Sequence, residues 1–400
     1  MEPRAIYLDN HATTRLDPRV LEAMLPWLTD RYGNSGSGTH EPGRAARDAV
    51  EAARETVAVA IGAAAREIVF TSGATESVNL AIQGTWLRLG GRPAGHVVTL
   101  ATEHSAVLDT CVHLERHGVA VTRLAVARQD GTGIPGRADP DALRAALRPD
   151  TFLVSVLVAN NEIGVIQDIP AIAAVLAAHP AVLHVDGAQA LGRMPVAVDE
   201  LGCDLASFSA HKFHGPKGAG ALFVRRRGKP VRIEPLVHGG GQERGMRSGT
   251  HDVPGIVGLA EAARLATAEM ATDAARMRAL RDRLWQQLER RIDGVALNGP
   301  ALDDPALRLV NNLNVRIPGV DGHSLLATLA ADGLAVSSGA ACSSESPRPS
   351  HVLLGLGLDD DLARASLRFG LSRFTTEAEV DAAAERIAAG VDRLRHWGAA

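Results

Sequence analysis

The stretch AVLHVDGAQALGRMPVAVDELGCDLASFSAHKFHGPKGAGALFV, residues 181–224, decides the fold. It contains three short apolar runs, at 182–186, 205–209 and 220–224, which are separated by turn-forming and helical segments. Apolar runs of this length, rich in Val, Leu and Phe and bounded by Gly or Pro, are typical of buried strands. We therefore predict three strands here that share one sheet.

The same rhythm extends toward the N-terminus. Helical patterns, such as the one at 41–61, alternate with four more strand-like runs, at 67–71, 96–102, 119–126 and 152–159. Strands that alternate with helices in this way form βαβ units and a parallel sheet. The sequence thus predicts an α/β fold with a mostly parallel seven-stranded sheet flanked by helices.

The pattern changes after residue 262. The chain continues with one long amphipathic helix at 263–291, a strand at 312–317, a helix at 322–332 and a final helix at 376–397. This is typical of a smaller α+β domain. We predict a large domain at 16–262, and a small domain formed by 1–15 and 263–400. The segment 337–350, SSGAACSSESPRPS, is small and polar and is predicted to be a mobile loop.

Composition excludes several classes of protein. The 400 residues are 46% hydrophobic and carry a formal net charge of −4, without a block of like charge, so neither disorder nor a nucleic-acid footprint is indicated. The first residues, MEPRAIYLDN, lack the features of a signal peptide, and no apolar run is long enough to span a bilayer. We expect a soluble, cytoplasmic protein whose partners are small molecules or proteins.

Cysteine and lysine are scarce. The three cysteines, Cys111, Cys203 and Cys342, are widely spaced, which excludes a disulfide framework and a CxxC knuckle. Cys111 and Cys203 lie in apolar contexts and are predicted to be buried packing residues. The three lysines fall within residues 212–229, so chemistry that needs an amine has few candidates.

Chemically useful residues follow the predicted strands, where ligands of parallel sheets collect. The turn TSGATES at 71–77 suits a phosphate, although an ordinary helix N-terminus explains it equally well. Asp186 ends one strand and Lys212 follows the next. Taken alone, Asp186 is typical of a helix cap and Lys212 of a solvated cation. His211 and His214 suggest a metal site, but the sequence offers no further ligands at the usual spacing. Together, a phosphate turn, a strand-end Asp and a Schiff-base Lys are what pyridoxal 5'-phosphate requires.

At this point the chain resembles a known family, the NifS/IscS-like cysteine desulfurases of the class V aminotransferase group. The resemblance runs nearly end to end and rests on YLDNHATT (7–14), FTSGATESVNLAI (70–82), TEHSAVLDTC (102–111), NNEIGVIQDI (160–169), HVDGAQ (184–189), SFSAHKFHGPKGAGAL (207–222), HGGGQERGMRSGT (238–250), SSGAACSS (337–344) and LRFGLSRFTT (367–376). It implies a fold-type I pyridoxal phosphate enzyme that converts L-cysteine to L-alanine.

The resemblance also implies roles for individual residues. Lys212 would hold the cofactor aldehyde and act as the base, and Asp186 would pair with the pyridine nitrogen. The remaining implied contacts are Gln189 and Asn161 at the phenolic side, His104 on the ring, Ala74, Thr75, Ser209 and His211 at the phosphate, Thr250 at the phosphate from a second subunit, and Arg368 with Asn34 at the substrate carboxylate. A homodimer follows from the role of Thr250.

Two of these residues keep an alternative reading. His104 is also suited to cap the helix that begins near Ala106, instead of moving protons at the cofactor. Arg368 is also suited to a surface or interdomain ion pair, although its bidentate fork matches a carboxylate.

Cys342 gives the implied chemistry its distinctive step. Its thiolate would take the sulfur of L-cysteine as a persulfide and pass it to an acceptor protein such as an iron–sulfur scaffold. A spare surface cysteine is the alternative. The sequence leaves the acceptor open. The resemblance implies that relatives devoted to general cluster assembly often carry a further C-terminal tail for docking the scaffold protein, and we expect none here after the last helix.

Other functions remain open beside this one. A class V aminotransferase or a selenocysteine lyase on the same fold would not need Cys342. A sulfur-carrier or scaffold partner would bind acceptors without turning over free cysteine. A metal site at His211 and His214 is the third alternative.

Overall fold

The computed structural model of the chain describes residues 5–338 and 349–398. Its strands are β1 (Ile6–Tyr7), β2 (Ile68–Thr71), β3 (His96–Leu100), β4 (Ala120–Leu124), β5 (Thr151–Leu157), β6 (Val182–Asp186), β7 (Leu205–Ser209), β8 (Gly220–Val224), β9 (Ala296–Leu297), β10 (Asn312–Arg316), β11 (Leu334–Ala335) and β12 (Ser366–Gly370). Its helices are α1 (Pro18–Leu28), α2 (Glu41–Ala60), α3 (Ala74–Arg88), α4 (Ser105–Arg116), α5 (Pro140–Ala146), α6 (Ile169–Val175), α7 (Val198–Leu201), α8 (Val253–Ala268), α9 (Met270–Arg291), α10 (Gly322–Ala331), α11 (His351–Gly355), α12 (Asp360–Arg364) and α13 (Glu377–Gly398).

The central sheet has seven strands in the order β2-β8-β7-β6-β5-β3-β4. The strands from β7 to β4 pair in parallel, and only β8 runs antiparallel to its neighbours β2 and β7. The strands β2, β3, β5, β7 and β8 are buried along their whole length, which explains why they read as continuous apolar runs in the sequence. The prediction of a mostly parallel seven-stranded α/β sheet is confirmed.

The buried apolar residues form two main clusters. The first lies around the seven-stranded sheet and the helices α1, α2 and α8, and it also takes in residues 352–363 of the C-terminal region. The second is built by residues 6–8 and 280–391, around the sheet β12-β10-β9, the β1-β11 pair and helices α9, α10 and α13. The two-domain division at 16–262 stays a prediction.

One predicted helix is interrupted. The stretch predicted as a single helix at 263–291 is two helices, α8 and α9, with Glu269 between them. No glycine or proline marks the break. Instead, the Glu269 carboxylate accepts hydrogen bonds from Arg19 and Arg373, so long-range contacts hold the residue at which the chain turns.

The helices of the described residues include none with an apolar stretch of the length that would cross a membrane.

Candidate active site

A cavity of about 470 Å³ opens at the carboxyl ends of the parallel strands, the edge at which α/β sheets bind ligands. This volume is within the usual range for small-molecule sites. Nine of the residues that the sequence analysis selected line it: Ala74, Thr75, His104, Asn161, Asp186, Gln189, Ser209, His211 and Lys212. They come from five separate chain segments, so the sheet topology brings them together.

Lys212 ends the single 3₁₀ turn that follows β7. Its Nζ donates to the carbonyl oxygens of His11 (2.7 Å) and Ala12 (2.8 Å). The N-terminal segment is fastened beside it, because the backbone N–H and the hydroxyl of Thr14 both donate to the carbonyl of His211 at 2.9 Å. The amine is therefore held at the wall of the cavity by main-chain oxygens.

Asp186 is the last residue of β6 and is buried. Its Oδ1 accepts from the backbone N–H of Ala188 at 2.9 Å. Burial raises the pKa of this carboxyl, while the nearby His104 and Lys212 act in the opposite direction. A carboxylate in such surroundings gains from a cationic partner, and this fits the protonated pyridine nitrogen of the predicted cofactor.

The N-terminus of α3 forms part of the cavity wall. Gly73 precedes the helix at φ 151°, where L side chains are strained, and no side chain caps the first turn. A Cβ on Gly220 would lie 2.5 Å from the Cα of Gly73, so glycine at 220 is required for this close approach. Ser209 and His211 line the same cavity. The uncapped N–H groups and these side chains fit a phosphate.

His104 caps a helix and also lies at the cavity. Its Nδ1 accepts from the backbone N–H of Ala106 at 3.1 Å and so caps α4, and its ring also lines the cavity. Because Nδ1 accepts a hydrogen bond, the proton of the neutral ring is on Nε2. Capping therefore fixes the tautomer that this histidine offers to a ligand.

Gln189 and Asn161 line the cavity and also form hydrogen bonds with other residues of the protein. The side-chain oxygen of Gln189 accepts from Arg193 at 2.6 Å, and its Nε2 donates to the carbonyl of His11 at 3.0 Å. The carbonyl of Asn161 accepts from Arg368 at 3.3 Å.

Three predicted site residues lie away from the described lining of this cavity. Arg368 is fully buried and forms an ion pair with Asp9 at 2.7 Å, a residue of the same predicted small domain. Asn34 and Thr250 are exposed. Cys342 lies outside the described residues, so its role stays a prediction.

Cys111 and Cys203 are buried, as predicted. Burial raises the pKa of both thiols to about 12, which keeps them protonated and unreactive at neutral pH.

His211 and His214, the alternative metal ligands, bind other groups within the described part of the chain. His211 bonds through Nδ1 to the hydroxyl of Thr13, and His214 donates through Nδ1 to the carbonyl of Arg15. In the same described residues, no three His, Cys, Asp or Glu side chains are grouped as a metal site.

The sequence analysis gave no role to His11 or Arg193, although both are buried and contact Gln189. His11 lies within YLDNHATT (7–14), and the resemblance of this stretch to the family was the one feature of the sequence that pointed to it. Arg193 follows Gln189 by four residues on the turn after β6, and only its burial distinguishes it from a solvated arginine.

Several histidines are held neutral by the fold. Burial is the largest cause that lowers their pKa, well below the usual range for His11, to about 3 for His184, and to about 4 for His211 and His214. Unfolding restores ordinary values near 6.5, so these groups take up protons on unfolding below that pH.

We predict that the free energy of unfolding of the cofactor-free protein falls as the pH is lowered from 7 to 5. The buried carboxyls of Glu103 and Asp186 act in the opposite direction, since burial raises their pKa and they release protons on unfolding. Burial also lowers the pKa of His96, which acts in the same direction as these four histidines. Each histidine contributes at most about 1.4 kcal/mol per pH unit, less for the half-buried His211, and the five histidines outweigh the two carboxyls. Urea unfolding at each pH measures the slope. In a His184→Gln variant, the slope of the unfolding free energy against pH should be smaller by the contribution of up to one proton. A wild-type unfolding free energy that does not change between pH 7 and 5 would contradict the prediction.

Comparisons with known proteins agree with this geometry. Residues 6–383 match the family model described as "Aminotransferase class-V". The chain is 50% identical over 392 residues to "Cysteine desulfurase IscS" of Anaeromyxobacter sp. (strain K), covering 98% of this chain and 93% of the relative, with the same figures for "Cysteine desulfurase IscS" of Escherichia coli O139:H28.

Solved structures give the same result. A structure titled "NIFS-LIKE PROTEIN" is 37% identical with a TM-score of 0.88, covering 98% of this chain and 100% of that one. "SspA in complex with cysteine" is 34% identical with a TM-score of 0.78, covering 92% and 99%. With sequence, fold and cavity in agreement, the chain belongs to the class V aminotransferase family and, within it, to the cysteine desulfurases.

Proposed function

We propose that this chain removes the sulfur of L-cysteine, releases L-alanine and leaves the sulfur as a persulfide on Cys342. The observation that carries the proposal is the convergence of Lys212, Asp186 and the uncapped N-terminus of α3 in one cavity. The 50% identity to proteins named cysteine desulfurase supports L-cysteine as the substrate.

We further propose pyridoxal 5'-phosphate as the cofactor. When bound, it supplies an acceptor for the electron pair that remains on the substrate carbon. Lys212 would hold its aldehyde, Asp186 would keep its ring nitrogen protonated, and Ser209, His211 and the N–H groups of Ala74 and Thr75 would bind its phosphate.

We propose that Lys212 and His104, which both line the cavity, move protons in it. The Lys212 amine has main-chain oxygens of His11 and Ala12 as resting partners, and it would leave them to take the Cα proton of the substrate. His104 offers an Nε2–H as a donor.

We propose that Arg368 binds the substrate carboxylate and that Asn34 assists it. Its guanidinium pairs with Asp9, so a substrate carboxylate would compete with this aspartate.

The sulfur step balances without an added oxidant. The Cys342 thiol gives up its proton, and its thiolate attacks the sulfur of L-cysteine. An S–S bond forms, the C–S bond breaks and its electron pair goes to carbon. That carbon takes one proton and becomes the methyl group of L-alanine, while the transferred sulfur keeps its own hydrogen.

We also propose a cytoplasmic homodimer that supplies sulfur to a protein acceptor such as an iron–sulfur scaffold. Thr250 is exposed, as expected of a residue that acts in the partner's site, and α1 exposes Leu21, Leu25 and Leu28 on one face. Light scattering of the purified protein measures the oligomeric state.

The proposed function is tested with purified protein, L-cysteine and a thiol reductant. We expect equal amounts of L-alanine and sulfide. L-Selenocysteine, and pairs of amino acids with keto acids, are offered in parallel. Turnover of selenocysteine alone would favour a selenocysteine lyase, keto-acid amination would favour an aminotransferase, and acceptor binding without any turnover would favour a carrier.

A further inference from the structure

His11 is a fully buried histidine whose ring and backbone both bind groups of the cavity wall. Its Nδ1 lies 3.1 Å from the side-chain oxygen of Gln189, and its Nε2 lies 3.2 Å from the Nδ2 of Asn312. Its carbonyl accepts from Lys212 Nζ and from Gln189 Nε2. His11 itself is not among the described residues that line the cavity, whereas the next two residues, Ala12 and Thr13, are.

The neighbours determine which nitrogen of His11 carries the proton. The side-chain oxygen of Asn312 accepts from Arg308 at 2.9 Å, so its NH₂ faces His11 and donates to Nε2. The proton is therefore on Nδ1, which donates to Gln189. Both ring nitrogens are satisfied in the neutral form only.

The hydrogen-bond network that runs from Asn312 through His11 to Gln189 ends at Arg193. This buried arginine donates to the side-chain oxygen of Gln189 and also to the carbonyls of Lys212 (2.8 Å) and Asn10 (3.3 Å). Arg193 thus ties together the backbone at Lys212, the residue before His11, and Gln189. Because Asn312 lies on β10 in the second apolar cluster, the network connects that cluster to the segment on which the lysine rests.

We propose that His11 is a positioning residue for Lys212 and Gln189. Its neutral ring fixes the 10–12 segment, and this holds the two carbonyl oxygens that receive Lys212 Nζ. Without the ring, Asn312 and Gln189 each lose a buried partner and the segment gains freedom, so the amine no longer has one resting position. This inference rests on the proposed function, since it concerns the lysine that would bind the cofactor.

The test follows the bond between Lys212 and pyridoxal phosphate and does not depend on turnover. The affinity for pyridoxal phosphate is measured from the visible absorbance, and the rate of attachment is measured by borohydride trapping with mass analysis of the Lys212 peptide. We expect His11→Ala and His11→Leu to bind about tenfold more weakly and to be trapped more slowly. His11→Asn, which keeps a donor toward Gln189, should stay within about threefold of the wild type.

His96 offers a matched control. Its side chain is also buried, and its two ring nitrogens bond to Thr151 and Thr122 at 2.8 Å. However, His96 is the first residue of β3 and so lies at the amino ends of the parallel strands, away from the cavity at their carboxyl ends. His96→Ala should lower the unfolding midpoint and leave pyridoxal phosphate binding by the folded protein unchanged.

Equal effects of the His11 and His96 substitutions on binding by folded protein would overturn the inference, as would a failure of both His11 truncations to fold, which would make the role structural. A wild type that is not trapped at Lys212 would refute the proposed function and this inference together. A wild type that is trapped but produces no alanine would refute only the proposed function.

Discussion

Replacing Lys212 with alanine is expected to lower alanine and sulfide production from L-cysteine by at least about 10³-fold. The amine is the only proposed attachment point for the cofactor aldehyde and also the proposed base. Its Nζ lies in the cavity wall at 2.7 and 2.8 Å from two main-chain oxygens, and the alanine variant leaves no amine there. Product formation is measured together with the visible absorbance of bound pyridoxal phosphate.

Two other substitutions separate the chemistry of Lys212 from its charge. Lys212→Arg keeps a cation beside the carbonyls of His11 and Ala12 but has no nucleophilic amine at neutral pH, so it should be as inactive as the alanine variant. Lys229→Ala is the control, because Lys229 lies away from the described cavity lining and should keep wild-type activity. Activity of Lys212→Ala within about tenfold of the wild type would exclude covalent catalysis by this lysine.

Replacing Cys342 with alanine is expected to lower sulfide release from L-cysteine by at least about 10²-fold while the cofactor stays bound. The proposed persulfide requires a thiolate at this position. The two other cysteines do not substitute for it, because both are buried and burial raises their thiol pKa to about 12. Sulfide, alanine and the absorbance of bound cofactor are measured on the same sample.

The product of the sulfur step is identified by mass. After L-cysteine is added without reductant, the Cys342 peptide of the wild type should gain the mass of one sulfur atom, and the Cys111 and Cys203 peptides should not. Cys111→Ala and Cys203→Ala serve as matched controls that keep Cys342. Undiminished sulfide release by Cys342→Ala would favour the selenocysteine lyase reading, in which this cysteine is dispensable.

Local sequence pattern was sufficient for the main sheet. The strands β6, β7 and β8 begin and end at the predicted residues, and the other four differ by one or two residues at one or both ends. This accuracy has a physical reason: a strand buried on both faces must be apolar along its length, and Gly, Pro and Asp mark its ends. The positions of Asp186 and Lys212 after adjacent strands follow directly, because parallel strands bring their carboxyl ends to one edge.

The sequence alone therefore determined the fold class, the family and nine of the residues that line the cavity at the strand ends. The tertiary structure decided which distant residues meet them. Lys212 rests on the carbonyl of His11, 201 residues away, and Arg368 pairs with Asp9, 359 residues away. At the break between α8 and α9, the Glu269 carboxylate likewise meets Arg19 and Arg373, which are distant in the chain. Such contacts leave no local pattern, because a buried hydrogen bond or ion pair depends on which segments the fold brings together and not on the residues beside it in the chain.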